Sequence, residues 1–262
     1  MTFDELLQAV HENQDLVLPS DWSQGRATFG GLTAALMFAR MEKLVAEGRA
    51  MRSLQVSFVG PVEPGIPASF EAEILREGKA VSQVQGRIVQ NGETRLVCLG
   101  SFGGDRESAV QVEALPAPEA MPVSDCPGLD YIEGVTPEFI KQIEMRWAFG
   151  NLPFSGKGGR ELGGWMQFRK APDRFSDAHI IALVDAWPPA LLPYLKQRVR
   201  TSSLSWALDI VHPRPVIEPG DWLLYKVSID QAGAGYGHTQ AGIWTAKGEL
   251  VALSRQTVTV FG

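Results

Sequence analysis

One aspartate, Asp185, lies inside a run of apolar residues and is the position in this sequence best suited to acid–base chemistry. Ile181, Val184 and Trp187 are among its neighbours in that run. An apolar environment disfavours the charged form of a carboxyl group and raises its pKa, which suits a general base that works near neutral pH. Asp185 is therefore a candidate catalytic base. The alternative interpretation is a helix cap or a salt-bridge partner.

A glycine pair, Gly30-Gly31, opens a second apolar run. The first N–H groups of a helix lack partners inside the helix and attract anions, so this pair is a candidate oxyanion donor. The other interpretation is that the two glycines only allow a helix and a sheet to approach closely. Both interpretations place the pair at the start of a buried helix.

Other kinds of catalytic chemistry find little support in the sequence. It contains no Gly-x-Ser-x-Gly motif, so a serine nucleophile is not expected. Cys98 and Cys126 form no Cys-x-x-Cys motif and no Cys/His cluster, and both are expected to be reduced thiols. His179, His212 and His238 are scattered and are interpreted as structural or surface residues. We therefore expect neither a metal nor a cofactor.

The composition restricts the class of protein. A formal net charge of −6 gives no electrostatic support for binding nucleic acid. The first ten residues lack the basic start and the long apolar core of a signal peptide. No run of about 18 apolar residues, the length that spans a membrane, occurs in the chain. We expect a cytoplasmic globular protein.

The first hundred residues combine two helical patterns with a series of strand patterns. Apolar side chains at helical spacing over 3–13 predict a short amphipathic helix. The run that starts at Gly30 is apolar nearly all round, which predicts a buried helix that ends near Gly48. Alternating apolar and polar residues, separated by turn signals, predict an antiparallel meander of four strands at 53–59, 68–76, 79–90 and 94–102.

The second half follows a stretch rich in proline, glycine and acidic residues, 103–128, which has the composition of a linker. Residues 177–197 predict a second buried helical segment, which Pro188-Pro189 interrupts or restarts. Strand patterns occupy residues 145–149, 164–169, 203–212, 221–230, 236–245 and 250–260.

The two halves also share specific sequence matches. Glu63-Pro64-Gly65 matches Glu218-Pro219-Gly220, and the segment that begins at Gly92-Glu93 matches the one that begins at Gly248-Glu249. Both matches fall at an offset of roughly 155 residues, which indicates a duplicated domain.

The duplication predicts the architecture. A single helix packed on one antiparallel sheet leaves a sheet edge open, and two such units can join their edges with both helices on one face. The predicted fold class is α+β, with two helix-on-antiparallel-sheet units fused into one continuous sheet. The units are expected at 1–102 and 129–262, with the linker 103–128 between them.

Several motifs around this duplication resemble those of the acyl-CoA thioesterase II family, whose members are tandem, or double, hot-dog proteins. The motifs are Arg26, Phe29-Gly30-Gly31 and RSLQVSFVGPVEPG in the first half, and LVDAWPPALL, VHPRP, DWLLY and SRQTVTVFG in the second. The resemblance covers nearly the whole chain. It implies a double hot-dog fold, a homo-oligomer (a dimer or larger), and hydrolysis of acyl-CoA to free fatty acid and CoA.

The resemblance also assigns site residues. The aspartate of the family falls on Asp185 and its glutamine on Gln256. The hydroxyl residue falls on Ser205 when counted back from DWLLY, and on Ser203 when the start of the strand is matched. Strand alternation would put both serines on one face. In such a site the carboxylate accepts a proton from water, while the amide and the hydroxyl hold the water in line.

Aligning the two halves predicts a single active centre. The final strands place Gln256 opposite Phe102, and the helices place Asp185 opposite Gly30 or Gly31. The first half therefore lacks the acid–amide pair.

Two rival functions are a non-catalytic protein that binds acyl-CoA or an acyl carrier, and a hydratase on the same scaffold. The resemblance to hydratases on this scaffold would imply an Asp and a His near the first turn of the helix. Here His179 precedes Asp185 by six residues, and that motif is not seen. The presence of both Asp185 and Gln256 favours hydrolysis.

Each of the remaining candidate residues has two interpretations, one structural and one as a ligand contact. Trp187 with Pro188-Pro189 is interpreted either as part of the core or as the wall of an acyl tunnel. Arg26, Arg198 and Arg200 are interpreted either as contacts for the CoA phosphates or as solvated surface residues.

Overall fold

The computed structural model of the protein describes residues 1–261, which form one large antiparallel sheet with helices packed against it. The helices are α1 (Phe3–Glu12), α2 (Gly30–Glu42) and α3 (Asp177–Val184). The strands of the first half are β1 (Asp15–Val17), β2 (Ser23–Gln24), β3 (Ala27–Thr28), β4 (Ala50–Phe58), β5 (Pro67–Glu77), β6 (Val81–Gln90) and β7 (Glu93–Gly103). The strands of the second half are β8 (Ile143–Phe149), β9 (Glu161–Phe168), β10 (Arg200–Ile210), β11 (Leu223–Gly233), β12 (Tyr236–Thr245) and β13 (Leu250–Phe261).

The sheet is continuous across the two halves. Its strand order is β1-β5-β6-β7-β4-β10-β13-β12-β11-β9-β8, and β2 and β3 form a separate small hairpin. The halves meet where β4 pairs with β10 in antiparallel orientation, with Leu54 opposite Leu208. The prediction of two sheet units fused into one is therefore confirmed.

The strand register shows the duplication directly. In the first half, Met51 on β4 lies opposite Phe102 on β7. In the second half, Trp206 on β10 lies opposite Gln256 on β13. Met51 and Trp206 are 155 residues apart in sequence, and Phe102 and Gln256 are 154 apart. Phe102 and Gln256 therefore occupy corresponding positions in their units, as the sequence match predicted.

The first two helices form for different reasons. The capping box of Thr2 and Glu5 holds the start of α1. Nearly every residue of α2 is buried, so tertiary packing stabilises it. The prediction that α2 continues to Gly48 is wrong, because the helix ends at Glu42. Beyond Met41, residues 42–44 are exposed and only Val45 packs partly against the core, so little buried surface remains to stabilise another turn.

The third helix is shorter than the sequence suggested. Helix α3 ends at Val184, and the prediction of a helical segment that reaches residue 197 is wrong beyond that point. Only a 3₁₀ turn, Leu192–Tyr194, follows it. Pro188 and Pro189 explain the break, because proline removes a backbone donor and pushes the preceding residue out of helical conformation.

The segment between the units lies across the sheet face that is opposite to the helices. Trp165 donates its indole N–H to the Met121 carbonyl at 2.9 Å, and Trp244 donates to the Leu115 carbonyl at 3.0 Å. Cys126 packs in the same separate apolar cluster. The linker is thus docked on the second half, while the unit boundaries at 102 and 129 stay predictions. None of the helices in residues 1–261 is long and apolar enough to cross a membrane.

Candidate active site

Asp185 is the first residue after α3 and lies at the junction of the two halves. Its Oδ1 atom accepts a hydrogen bond from Nε2 of Gln256 at 2.9 Å. The backbone N–H of Gly31 lies near the same carboxylate and acts to lower its pKa. The structure therefore brings together residues that the sequence places far apart: the candidate base, the candidate amide and the glycine pair.

The start of α2 explains why Asp185 sits there. The N-cap residue is Phe29, whose side chain makes no capping hydrogen bond, and the first turn contains no acidic residue. The free N–H of Gly31 and the positive end of the helix dipole lie beside the carboxylate of Asp185, which belongs to the other half. The interpretation of Asp185 as a cap therefore stays open beside its interpretation as a base. The Gly31 N–H, expected to face a substrate oxyanion, is directed at Asp185.

Both glycines are required by close contacts. A Cβ atom on Gly30 would lie 2.8 Å from Oδ2 of Asp185 and 3.0 Å from the ring of Phe58. A Cβ atom on Gly31 would lie 2.7 Å from the carbonyl oxygen of Ala182 in α3. Real Cβ atoms do not approach so closely, so the expectation that this pair permits close packing agrees with the geometry. Gly30 packs against the sheet at Phe58 of β4, and Gly31 packs against helix α3, so the pair serves both contacts.

Gln256 is held in one orientation by its two amide contacts. It lies on β13 between Trp206 on β10 and Thr239 on β12. Its Nε2 donates to Asp185, while its Oε1 accepts a hydrogen bond from the hydroxyl of Ser203 at 3.3 Å. A chain of hydrogen bonds therefore runs from Ser203 through Gln256 to Asp185, which fixes the direction of the amide.

The two candidate serines lie on opposite faces of the sheet, so the prediction that both share one face is wrong. The register of β10 against β13 shifts between Ser203 and Ser205, with Leu204 as the extra residue. Ser205 is consequently opposite Thr257, whereas Gln256 is opposite Trp206. A one-residue bulge reverses the alternation that the sequence argument assumed. Of the two serines, only Ser203 joins the Asp185–Gln256 pair.

The electrostatics of the Asp185 carboxyl are dominated by burial. Burial raises its pKa from an ordinary value of 3.8 to about 7, while the hydrogen bond from Gln256 and the nearby backbone N–H of Gly31 act in the opposite direction. Asp185 as a whole residue is partly exposed, although its carboxyl group is buried. A carboxyl group with this pKa is present in both protonation states near neutral pH and can accept and return a proton.

An aromatic stack flanks the site. The sequence suggested Trp187 as one wall of an acyl tunnel, but it gave no such place to Trp147 or Tyr225. The ring of Trp187 stacks on that of Tyr225 with centroids 5.8 Å apart, and Trp147 meets Trp187 edge-on. Burial and the charge of Asp185 raise the pKa of Tyr225, so its hydroxyl stays protonated. The indole N–H of Trp187 is buried without a hydrogen-bond partner in residues 1–261. The sequence signal that could have placed Tyr225 in the core is its position in the apolar strand pattern of residues 221–230.

A serine–histidine–aspartate contact elsewhere in the chain is structural. Nδ1 of His179 lies 2.9 Å from the Ser176 hydroxyl and accepts the Ser176 backbone N–H, and its Nε2 faces Asp4 at 3.0 Å. Phe3 and Phe168 pack edge-on and tilted around the buried imidazole. The adjoining cavity measures only about 20 Å³, room for about one water molecule. This network fastens α1 to α3 and leaves no space for a substrate.

Within residues 1–261, no hydrogen bond joins the remaining candidates to Asp185 or Gln256. His212 contacts the Met51 carbonyl and His238 the Thr257 hydroxyl, in agreement with structural roles. Cys98 and Cys126 are free, buried thiols. Arg26, Arg198 and Arg200 are exposed. Across residues 1–261 they form no ion pair, and their contact with CoA phosphates stays a prediction.

The fold and the site together define a class of protein. Two helix-on-sheet units fused edge to edge, with a carboxylate–amide pair at their junction, make this chain a double hot-dog protein. Family models described as the acyl-CoA thioesterase N-terminal domain and the acyl-CoA thioesterase C-terminal domain match residues 18–103 and 123–260. The chain belongs to the acyl-CoA thioesterase family, and it is a thioester hydrolase.

Individual relatives agree with this placement. The chain is 22% identical over 253 residues to acyl-CoA thioesterase 2 of Haemophilus influenzae, an alignment that covers 88% of this chain and 86% of the relative. An acyl-CoA thioesterase II from Mycobacterium marinum superposes with a TM-score of 0.76 at 21% identity, covering 94% of this chain and 92% of that one. A hot-dog-fold protein from Alicyclobacillus acidocaldarius superposes with a TM-score of 0.79 at 21% identity, covering 95% and 92%. These superpositions show the same fold.

Proposed function

We propose that this chain hydrolyses acyl-CoA to a free fatty acid and CoA, and that Asp185 is the base that activates the water. The observation that carries the proposal is the hydrogen bond from Gln256 to a carboxylate whose pKa burial raises to about 7. The carboxylate also lies at the start of α2, where a helix dipole favours negative charge.

The chemistry requires no covalent enzyme intermediate. Asp185 accepts a proton from a water molecule as the water oxygen attacks the thioester carbonyl carbon. The tetrahedral intermediate then collapses, the carbon–sulfur bond breaks, and the protonated Asp185 returns its proton to the departing CoA thiolate. Gln256, fixed by Ser203, holds the carboxylate in place and orients the water. Atoms and charge balance over the cycle, with one water consumed.

The first half contributes no second centre of this kind. Phe102, which corresponds to Gln256, is fully buried and stacks against Phe38. Gly30 has no side chain, and the Asp185 carboxylate lies beside the space that a side chain there would need. Each chain is therefore proposed to have one centre, with the acid and the amide from the second half and the helix start from the first.

Hydratase chemistry is less compatible with these contacts. An Asp-plus-His mechanism needs an imidazole close to the carboxylate. Both nitrogens of His179 are engaged with Ser176 and Asp4 instead.

The decisive experiment is a thiol-release assay with acyl-CoA substrates of graded length, run on the wild type and on Asp185→Asn. The asparagine is nearly isosteric but cannot accept the water proton, so turnover should fall by about 10²–10⁴-fold. Binding of a non-hydrolysable thioether analogue of acyl-CoA should persist. If the wild type binds that analogue and releases no thiol from any substrate, the chain is a binding protein and the proposal is wrong.

We also propose that the chain forms a homodimer or a larger homo-oligomer. The linker covers part of the outer sheet face in the second half, whereas outer-face residues of the first half, such as Gln55 and Ser57, are exposed. Sedimentation equilibrium at micromolar concentration should give at least twice the 28.6 kDa mass of one chain. A single species with the mass of one chain would contradict this.

A further inference from the structure

A groove of about 610 Å³ opens at the end of the second-half sheet, away from the residues assigned above. Its volume is in the range of small-molecule sites. Its apolar lining consists mainly of Leu191, Tyr194, Leu195, Ile229, Tyr236 and Val260.

Strand β13 runs from the candidate active site to the groove. Gln256, Val258 and Val260 alternate on β13 and share one face of the sheet. Four residues separate Gln256 from Val260, a distance of about 13 Å along an extended strand. That is roughly the length of ten methylene groups in an extended chain, from standard carbon–carbon bond geometry.

Leu191 lies between the two regions. Gly237 on β12 is opposite Val258, two residue pairs beyond Gln256 and on the same face of the sheet. A Cβ atom on Gly237 would lie 2.1 Å from Cδ1 of Leu191, so the leucine occupies the space that any other residue at 237 would need. Leu191 thus forms the wall of the groove on the side of the candidate active site, and its side chain packs against the backbone of Gly237.

The charged residues that line the groove are already engaged. Arg160 donates from Nη2 to the backbone carbonyls of Ile229 and Asp230, at 3.0 and 2.8 Å. The carboxylate of Asp230 pairs with Arg255 at 2.9 Å. A ligand in the groove would therefore meet mainly apolar side chains, which suits an apolar chain.

We propose that this groove holds the distal part of a long acyl chain and that Leu191 marks where shorter chains end. This inference rests on the proposed hydrolysis, since the thioester carbon would lie at Asp185 with the chain directed along β13. It implies that the protein acts on acyl-CoA substrates with long acyl groups. Leu191, Gly237 and Val260 would then determine which acyl length is preferred.

The test is a thiol-release assay on Val260→Trp with butanoyl-, dodecanoyl- and hexadecanoyl-CoA. Val260 is half-buried at the groove, so an indole there fills the groove and leaves the core in place. We expect kcat/KM for the two longer substrates to fall by about tenfold or more, and that for butanoyl-CoA to stay within about twofold. Val17→Trp is the matched control, because Val17 is an exposed strand valine of the first half.

A second variant, Leu191→Ala, removes the wall and should raise the ratio of hexadecanoyl to butanoyl turnover. An unchanged chain-length profile in both variants, or an equal loss for all substrates, would overturn the inference. If the wild type hydrolyses no acyl-CoA, the proposed function fails separately. In that case, binding of cis-parinaric acid, measured by its fluorescence, tests whether the groove holds an acyl chain. Loss of binding in Val260→Trp with retention in Val17→Trp supports the inference. Any other pattern overturns it.

Discussion

Gly30 and Asp185 are in contact although the internal repeat makes them corresponding positions. They are 155 residues apart, the offset that relates Met51 to Trp206. The carboxylate of Asp185 lies where a side chain on Gly30 would begin. At this junction the two backbones approach so closely that a Cβ atom at position 30 would clash with the side chain at position 185. A carboxylate at one of them therefore requires glycine at the other, and the asymmetry of the site follows from packing.

Gly30→Ala should consequently damage the site more than an ordinary glycine replacement. The new methyl would lie 2.8 Å from Oδ2 of Asp185, so the carboxylate must move away from Gly31 or Gln256. We expect kcat to fall by about 10–100-fold, as for other small displacements of catalytic groups. The measurement is steady-state thiol release. Gly128→Ala is the control, because a Cβ there meets nothing within 4 Å; equal activity of the two variants would contradict the argument.

The raised pKa of Asp185 predicts a pH-dependent cost in stability. Because the folded pKa of about 7 exceeds the unfolded value of 3.8, the folded state binds the extra proton between them. The contribution of Asp185 to stability is therefore present at low pH and is lost as pH rises through 7. Asp185→Asn cannot ionise, so at pH 9 it should be more stable than the wild type by about 1–3 kcal/mol.

Urea unfolding followed by circular dichroism at pH 5 and pH 9 measures this difference. The advantage of Asp185→Asn should shrink or disappear at pH 5, where Asp185 is protonated in the folded state. Asp15→Asn, at an exposed position in β1, is the control and should show no such change. A stability difference that is the same at both pH values would show that the carboxyl is not the group responsible.

Gln256→Ala should change the pH profile as well as the rate. In the wild type, kcat/KM should rise with pH through about 7 as Asp185 loses its proton. The Gln256 hydrogen bond holds that pKa down, so its removal should move the midpoint to higher pH. The rate loss should be smaller than in Asp185→Asn, because the base remains. Gln240→Ala, on the exposed face of β12, serves as control; a midpoint that does not move in Gln256→Ala would argue that Gln256 does not act on Asp185.

The sheet could be predicted from the sequence because its signals are local and repeated. Alternating side chains and turn residues located the strands, and the two Glu-Pro-Gly sequences located the duplication. The ends of α2 and α3 could not be predicted as well. The end of α2 depends on where the core stops covering the chain beyond Met41, which is a tertiary property.

The site itself was predictable only in part. Asp185 was marked by its apolar surroundings, and Gln256 by resemblance to a family motif. The contact between Gly31 and Asp185 crosses the junction of the two halves, and no local pattern encodes it. Tyr225 lies near the carboxylate for the same long-range reason.

The bulge at Leu204 gives the most discriminating pair of variants, since Ser203 and Ser205 are the same residue type on the same strand. Ser203 donates to Gln256 at 3.3 Å, whereas Ser205 is exposed on the other face, opposite Thr257 and Ser57. Ser203→Ala should release the Oε1 atom of Gln256 and lower kcat by about three- to tenfold, the effect of one orienting hydrogen bond.

Ser205→Ala should leave kcat unchanged, because its hydroxyl points away from the Asp185–Gln256 pair. The two variants remove the same atom, so differences in expression or overall stability are small and the comparison isolates the face of the strand. Steady-state thiol release with one saturating acyl-CoA is sufficient. If Ser205→Ala lost activity and Ser203→Ala did not, the bulge would have to lie elsewhere in β10, and the hydroxyl of the site would be that of Ser205.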